Sequence, residues 1–190
     1  MNKARIEAFT DAVIAIIMTI LVLELKQPKQ ATWRAIFTNW HAYLSYLISF
    51  AICAITWNNH HHMFQIVKRV NGKILWANNL QILVLSFYPY LTVFVANHFY
   101  SPVPEMCYGI GFLLGNLAYF NLSRILIKSD PGNEKMKSVL TLNGRFIGSF
   151  TILLIGIAGS YLFPVLNVIC CIITLAIWAD PLPAVEKLFN

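Results

Sequence analysis

An arginine and an aspartate precede the first long apolar run of the chain, in the order Arg5-x-x-x-Phe9-Thr10-Asp11. Ionised side chains are costly at membrane depth and usually have partners. Arg5 and Asp11 are six residues apart and do not face each other on one helix, so each is expected to find a partner on another helix or subunit. The simpler interpretation is an interfacial helix start, with Asp11 near the positive end of the helix dipole.

The apolar run that follows carries a hydroxyl group on one of its faces. At i, i+3, i+4 and i+7 of an ideal helix, this face holds Ile16, Thr19, Ile20 and Leu23. Several copies around an axis would stack rings of branched aliphatic side chains with one layer of hydroxyls. Such a constriction can gate by dewetting. Ordinary helix packing would produce the same stripe.

Other polar residues offer weaker signals. Adjacent residues of a helix point about 100° apart, so the run His60-His61-His62 cannot chelate a metal from one face, and the chain has no His-x-x-x-His. Glu24 and Glu105 are expected near an outer mouth, where they attract cations or, more simply, are solvated loop charges. Paired carboxylates, nucleophile–base spacing and a phosphate loop are absent from the sequence. An enzyme is therefore not expected, and neither is a metal or other cofactor.

The chain is too apolar to cover a water-facing surface. Of its 190 residues, 58% are hydrophobic and 12% are charged, and the mean hydropathy is +0.63. A soluble domain carries about 25% charged residues. The apolar residues form blocks near the length of one membrane span, which favours helices. The predicted fold class is therefore all-α, a polytopic membrane protein.

Six transmembrane helices are expected, in a single domain that covers residues 1–190. The first is interpreted as a retained helix and not as a signal peptide. The last apolar stretch, 146–179, is too long for one span and breaks naturally near Pro164. The expected ranges are 5–25, about 40–57, 74–96, 103–127, 137–162 and 165–179.

Basic residues predict the orientation in the cell membrane. With a cytoplasmic N-terminus, eleven lie inside: Lys3, Arg5, Lys68, Arg69, Lys73, Arg124, Lys128, Lys135, Lys137, Arg145 and Lys187. Three lie outside: Lys26, Lys29 and Arg34. The positive-inside rule therefore places both termini in the cytoplasm. The net charge of +6 is explained by this topology and by contact with anionic lipid, and no nucleic-acid partner is expected.

The motif of the first helix continues through the apolar run, and further motifs follow. They are Ala15-Ile16-x-x-Thr19-Ile20-Leu21-Val22-Leu23-Glu24, Ser49-Phe50, Trp57-x-x-His60-His61, and then Asn78, Pro89 and Thr92. This ordered set, over roughly residues 5–92, resembles the transmembrane protein 175 family of potassium channels, whose signature is Arg-x-x-x-Phe-Ser-Asp. Thr10 departs from the usual serine but keeps the hydroxyl.

The resemblance implies a homotetramer of six-helix subunits in the lipid bilayer, with a pore lined by the first helix of each. It implies a passive, leak-type channel that is permeable to potassium, a monovalent cation, and lacks the Thr-Val-Gly-Tyr-Gly filter of ordinary potassium channels. This chain also has no such stretch. Ile16 would be the main constriction, with Ile20 and Leu23 toward the outside. Thr19 would supply hydroxyls to a partly dehydrated cation.

Under the same resemblance, a further group of residues would hold the pore helix in place without touching the ion. The group comprises Arg5, Phe9, Thr10, Asp11, Trp57, His60 and Asn78. A proton or substrate relay is the other interpretation of these residues. The alternative function is accordingly a secondary transporter or proton-coupled carrier, which often has carboxylates near the midplane. No carboxylate is expected deep in any span of this chain, and Asp11 comes nearest.

Overall fold

The computed structural model describes residues 2–134, 136, 137 and 144–179, and the regular elements of this part are α-helices. They are α1 (Lys3–Leu23), α2 (Trp33–Thr38), α3 (Trp40–Ile66), α4 (Gly72–Ser86), α5 (Tyr88–Asn97), α6 (Pro102–Ser129), α7 (Gly144–Gly159) and α8 (Val165–Ala179). The all-α prediction is confirmed for the described residues.

Four helical stretches in the described part are long and apolar enough to cross a membrane. These are α1, α3, the α4–α5 pair over Gly72–Asn97, and α6. Two further helices are apolar but shorter, α7 with 16 residues and α8 with 15. Several membrane-spanning helices are therefore present, and the count of six stays a prediction.

The helix ends differ from the predicted ranges in three places. α3 continues to Ile66 and does not end near residue 57, because polar side chains beyond that point find partners inside the bundle. The expected helix 74–96 is two helices that meet at Phe87. Pro89 has no amide hydrogen and its ring crowds the carbonyl four residues earlier, which ends α4. The predicted helix 137–162 begins partly outside the described residues, and α7 covers Gly144–Gly159.

Local sequence signals explain where several helices begin. The side chain of Asn2 accepts a hydrogen bond from the backbone N–H of Ala4 at 3.0 Å and caps α1. Asn71 caps α4 in the same way, by accepting from the N–H of Ile74 at 3.0 Å. Pro102 opens α6, where a missing amide hydrogen costs nothing.

The first helix lies against α3, α4 and α5 and buries one face on them. The buried residues of that face are Ile6, Thr10, Ile14, Ile17 and Leu21. Ile14, Ile17 and Leu21 belong to the main apolar core, and Ile6 belongs to a second cluster at the N-terminal end of the helix. α6 lies against α4, α5, α7 and α8. It therefore connects the helices that pack on α1 with the last two helices.

Candidate ion pore and its supporting network

The predicted pore face of α1 does not pack inside the subunit. Ile16 is 58% exposed, Ile20 38% and Leu23 76%, and Thr19 is also exposed. The buried stripe of the same helix lies on another side, where Ile14, Ile17 and Leu21 contact the bundle. Packing within the subunit therefore does not account for this face, which is free to meet lipid, water or other copies of the chain.

Thr19 is held in an orientation that suits cation contact. Its Oγ1 donates a hydrogen bond to the carbonyl oxygen of Ala15 at 2.9 Å. A hydroxyl carries one hydrogen and two lone pairs. Because the hydrogen is used within the helix, the lone pairs of Thr19 remain available on the exposed face.

Three residues from three helices form a buried chain beside α1. The amide nitrogen of Asn78 donates to Thr10 Oγ1 at 2.9 Å, and Asn78 Oδ1 lies 2.8 Å from His60 Nε2. Since Asn78 uses its N–H group toward Thr10, its carbonyl faces the histidine, and His60 donates from Nε2. The three side chains are at most 2% exposed. They tie α1 to α3 through α4.

A second contact links the same helices closer to the surface. Trp57 Nε1 donates to Asp11 Oδ1 at 2.8 Å. The structure does not bring Arg5 or Phe9 into either contact: Phe9 is 52% exposed, and Arg5 forms neither a hydrogen bond nor an ion pair with any described residue. Five of the seven residues predicted to support the pore helix are thus joined, and two lie on its outer surface.

A buried hydroxyl chain, which sequence reasoning matched only in part, joins α3, α5 and α6. Thr92 Oγ1 donates to the carbonyl of Tyr88 at 2.6 Å, so it accepts from Ser49 Oγ, also 2.6 Å away. Ser49 in turn accepts from the Tyr108 hydroxyl at 2.7 Å. Each hydroxyl therefore has one assigned direction. Ser49 and Thr92 belong to the motifs that resemble the family. The sequence around Tyr108 contains no motif that predicts its contact with Ser49.

Glu105 is not a solvated loop charge, and that expectation is wrong. The residue lies in the first turn of α6 and is fully buried. Asn167 of α8 donates to its backbone carbonyl at 2.7 Å and approaches its Oε2 at 3.4 Å. Glu105 Oε1 has no hydrogen-bond partner among the described residues. The carboxyl group is buried because α8 folds back over the start of α6, which hydropathy alone does not reveal. Glu24 is exposed.

A cavity with a mostly apolar lining and a few polar groups lies between α3, α4, α5, α6 and α8. It has about 30 Å³ open to the centres of water molecules. Gln81, Tyr88 and Asn116 line it, and polar atoms of all three make no hydrogen bond to a described residue.

No cluster of three or more His, Cys, Asp or Glu residues in the described ranges is placed to hold a metal ion. His61 instead contacts Gln65, with 2.9 Å between its Nε2 and the glutamine Nε2.

The regular elements of the described residues are helices, several of them long enough to cross a membrane, and the first leaves an apolar face unpacked. These features define a multi-pass membrane protein. The family model described as endosomal/lysosomal potassium channel TMEM175 matches residues 5–89. The chain is also 37% identical over 187 residues to a potassium channel of Chryseobacterium sp., an alignment covering 98% of this chain and 97% of that protein. The chain belongs to the TMEM175 family. The family is one of ion channels, which confirms the expectation that the chain is not an enzyme.

Two further similarities extend the comparison. A potassium channel of Streptomyces collinus is 37% identical over 103 residues, 52% of this chain and 50% of that protein. The crystal structure of a lysosomal potassium-selective channel TMEM175 homolog from Chamaesiphon minutus is similar with a TM-score of 0.81 at 26% identity. That match covers 93% of this chain and 96% of the other. The shared fold therefore includes α7 and α8, which lie beyond the sequence motifs of residues 5–92.

Proposed function

We propose that the chain forms a passive, potassium-permeable cation channel, built as a homotetramer of six-span subunits with both termini in the cytoplasm. The observation that carries this proposal is the exposed face of Ile16, Thr19, Ile20 and Leu23. A subunit alone leaves these apolar side chains unpacked on its first helix. Rotational symmetry would turn the four copies of this face toward a common axis.

The names of the relatives support the choice of ion. The matching proteins of Chryseobacterium sp. and Streptomyces collinus are named potassium channels. The similar crystal structure is described as a potassium-selective channel homolog. The same ion is proposed here, without any other cofactor.

The proposed conduction path has one hydroxyl layer between apolar layers. Rings of Ile16, Ile20 and Leu23 side chains would leave a narrow apolar channel that excludes water unless it widens. The Thr19 ring would offer oxygen lone pairs to a cation that has lost part of its hydration shell. Because no carbonyl cage is involved, conduction would depend on pore width and on hydroxyl contact.

The supporting network would hold α1 at one end. Thr10 and Asp11 anchor the helix to α3 and α4, near the end that we assign to the cytoplasm. Beyond this end the helix is held by apolar contacts of Ile14, Ile17 and Leu21. We propose that these residues position the pore face and do not contact the ion.

Potassium flux into liposomes tests the proposal. The purified chain should pass potassium down its gradient without ATP or a counter-substrate. Ile16→Ser should raise the flux severalfold by making the constriction polar. Val22→Ser is the matched control, since Val22 is 47% exposed but lies off the pore face. Absence of flux would refute the channel, and equal effects of both variants would remove Ile16 from the pore.

The buried Glu105 favours a second candidate, a proton-coupled carrier. Carboxylates inside transporter bundles often bind coupling ions, and Glu105 has one oxygen without a partner among the described residues. A carrier would show flux that saturates with substrate, requires a proton gradient and is lost in Glu105→Gln. A channel would keep its potassium flux in Glu105→Gln, even without a proton gradient.

A further inference from the structure

An open groove of about 920 Å³ runs between α4 and α6, on the outside of the subunit. Its two walls meet where α4 begins and α6 ends, because Asn71 Nδ2 donates to Ser129 Oγ at 3.1 Å. Lys73 and Lys128 line this end of the groove, and both are exposed. The two ammonium groups thus belong to one end of one groove.

The rest of the groove is mostly apolar, with Asn121 as its one polar side chain among the described lining residues. Trp76 and Leu80 continue along α4 from the basic end, and they are 76% and 44% exposed. Ile125 faces them from α6. A basic end that continues into exposed apolar side chains at membrane depth matches a molecule with an anionic head and hydrocarbon tails.

The charge around the basic end is not neutralised by its neighbours. The described residues that line the groove include two lysines and no acidic residue, and neither lysine forms an ion pair with a described residue. Asp130 is the nearest acid in sequence, and its Oδ2 accepts from Asn133 Nδ2 at 3.3 Å.

We propose that this groove binds an anionic glycerophospholipid of the inner leaflet. The phosphate group would lie between Lys73 and Lys128, and an acyl chain would lie along Trp76 and Leu80. Basic pockets between transmembrane helices on the cytoplasmic side are suited to such headgroups, and lysine binds phosphate as a point charge. The positive-inside orientation places this end of α4 and α6 at that leaflet. The proposal does not depend on which ion the channel passes.

Lipid binding to the purified full chain tests the proposal. Native mass spectrometry and thermal unfolding in detergent would compare dioleoylphosphatidylglycerol with dioleoylphosphatidylcholine. Phosphatidylglycerol should bind the wild type at least threefold more and raise its Tm by several degrees. The double variant Lys73→Gln/Lys128→Gln should lose both effects. Lys68→Gln/Arg69→Gln is the control, because it removes the same charge from exposed residues outside the groove lining.

Three results would overturn the proposal. Equal losses in the two double variants would show diffuse attraction to anionic lipid, without a site. Stabilisation by glycerol 3-phosphate equal to that by phosphatidylglycerol would show a phosphate site that needs no lipid. A photocrosslinking amino acid at position 76 should capture lipid in membranes, and capture of a second copy of the chain would make the groove a subunit contact. If the double variant fails to fold, the two single variants and Trp76→Gln provide the same comparison.

Discussion

Asn78 uses both ends of its side-chain amide inside the bundle. The N–H group goes to Thr10 and the carbonyl to His60, so one residue holds two helices through directed hydrogen bonds. Its neighbour Asn79 has a buried Oδ1 with no hydrogen-bond partner among the described residues. The two adjacent asparagines therefore differ in hydrogen bonding, because Asn78 is paired at both ends of its amide and Asn79 Oδ1 is not.

Asn78→Ala should lower the stability of the folded chain by about 0.6–2 kcal/mol, because it leaves two buried polar groups without a partner. Thermal unfolding in detergent would measure the change. Asn79→Ala is the matched control and should have a smaller effect. An equal loss in both variants would mean that the hydrogen bonds of Asn78 are not what stabilises the contact.

Thr19→Val should reduce potassium flux severalfold, because valine has the same shape but offers no lone pair to the ion. Thr19→Ser retains the hydroxyl and should conduct close to the wild type. Position 19 is exposed, so neither substitution should change the unfolding temperature much. Liposome flux would separate the two variants, and indistinguishable flux would show that the hydroxyl does not contact the ion.

At the scale of helices, glycines allow α6, α7 and α8 to approach one another closely. A Cβ added at Gly109 of α6 would overlap Asn167 Oδ1 of α8, and one at Gly156 of α7 would lie 2.8 Å from Cys170 Cβ. Gly111 and Gly115 of α6 face α5, because an added Cβ at Gly111 would overlap Leu91 and one at Gly115 would lie 3.4 Å from the Tyr88 hydroxyl. In contrast, a Cβ at Gly148 would meet nothing within 4 Å.

Gly109→Ala should destabilise the chain by about 1–3 kcal/mol, since the new methyl group displaces Asn167 from its contact with Glu105. Gly148→Ala is the control and should be neutral or stabilising by roughly 0.5–1 kcal/mol, because alanine favours the helix. Unfolding temperatures of both variants would check this. A neutral Gly109→Ala would mean that α8 moves away from α6 without cost.

Gln81→Met should lower the unfolding temperature slightly. The amide faces a cavity with room for water, and both of its polar atoms lack a partner among the described residues, so we expect water to bind there. Replacing a hydrated amide by a thioether of similar size would lose those hydrogen bonds. Gln27→Met changes an exposed residue outside the cavity lining and should have little effect. A higher unfolding temperature for Gln81→Met would show instead that the amide is buried without water.

The sequence predicted features that depend on one helix at a time. Periodicity indicated the stripe of Ile16, Thr19, Ile20 and Leu23 but not that it is exposed. Hydropathy with Pro164 predicted the final helix at 165–179, where α8 lies. Contacts between distant helices depend on how the helices are rotated and shifted against one another. The burial of Glu105 against Asn167 and the role of Tyr108 follow from that packing, which neither spacing nor composition encodes. Pro89 is a signal for the break at Phe87, but the hydropathy is continuous across this position and predicts a single helix over 74–96.

At the scale of the whole molecule, the distribution of basic residues predicts one orientation in the membrane. The end of the bundle that holds Thr10, Asn78 and His60 is also the end with the larger number of basic residues. The opposite end carries the connection between α1 and α3, including α2 with its exposed Trp33 and Phe37. Aromatic residues of this kind are common at membrane interfaces.

Single-cysteine labelling in intact cells would check this orientation. In a Cys107→Ser background, Lys29→Cys should react with a membrane-impermeant maleimide, and Lys68→Cys should react only after the membrane is opened. The remaining cysteines are buried and should label weakly. The reverse pattern would place the basic end outside and contradict the predicted topology.

The unpacked face of α1 also has a genetic consequence. If four chains each contribute one wall to a shared path, a single altered chain changes every pore that it enters. With equal expression of two alleles and random assembly, only about one tetramer in sixteen would contain no altered chain. Substitutions at Ile16 would then behave as dominant alleles, whereas substitutions that merely unfold the subunit would behave as recessive ones.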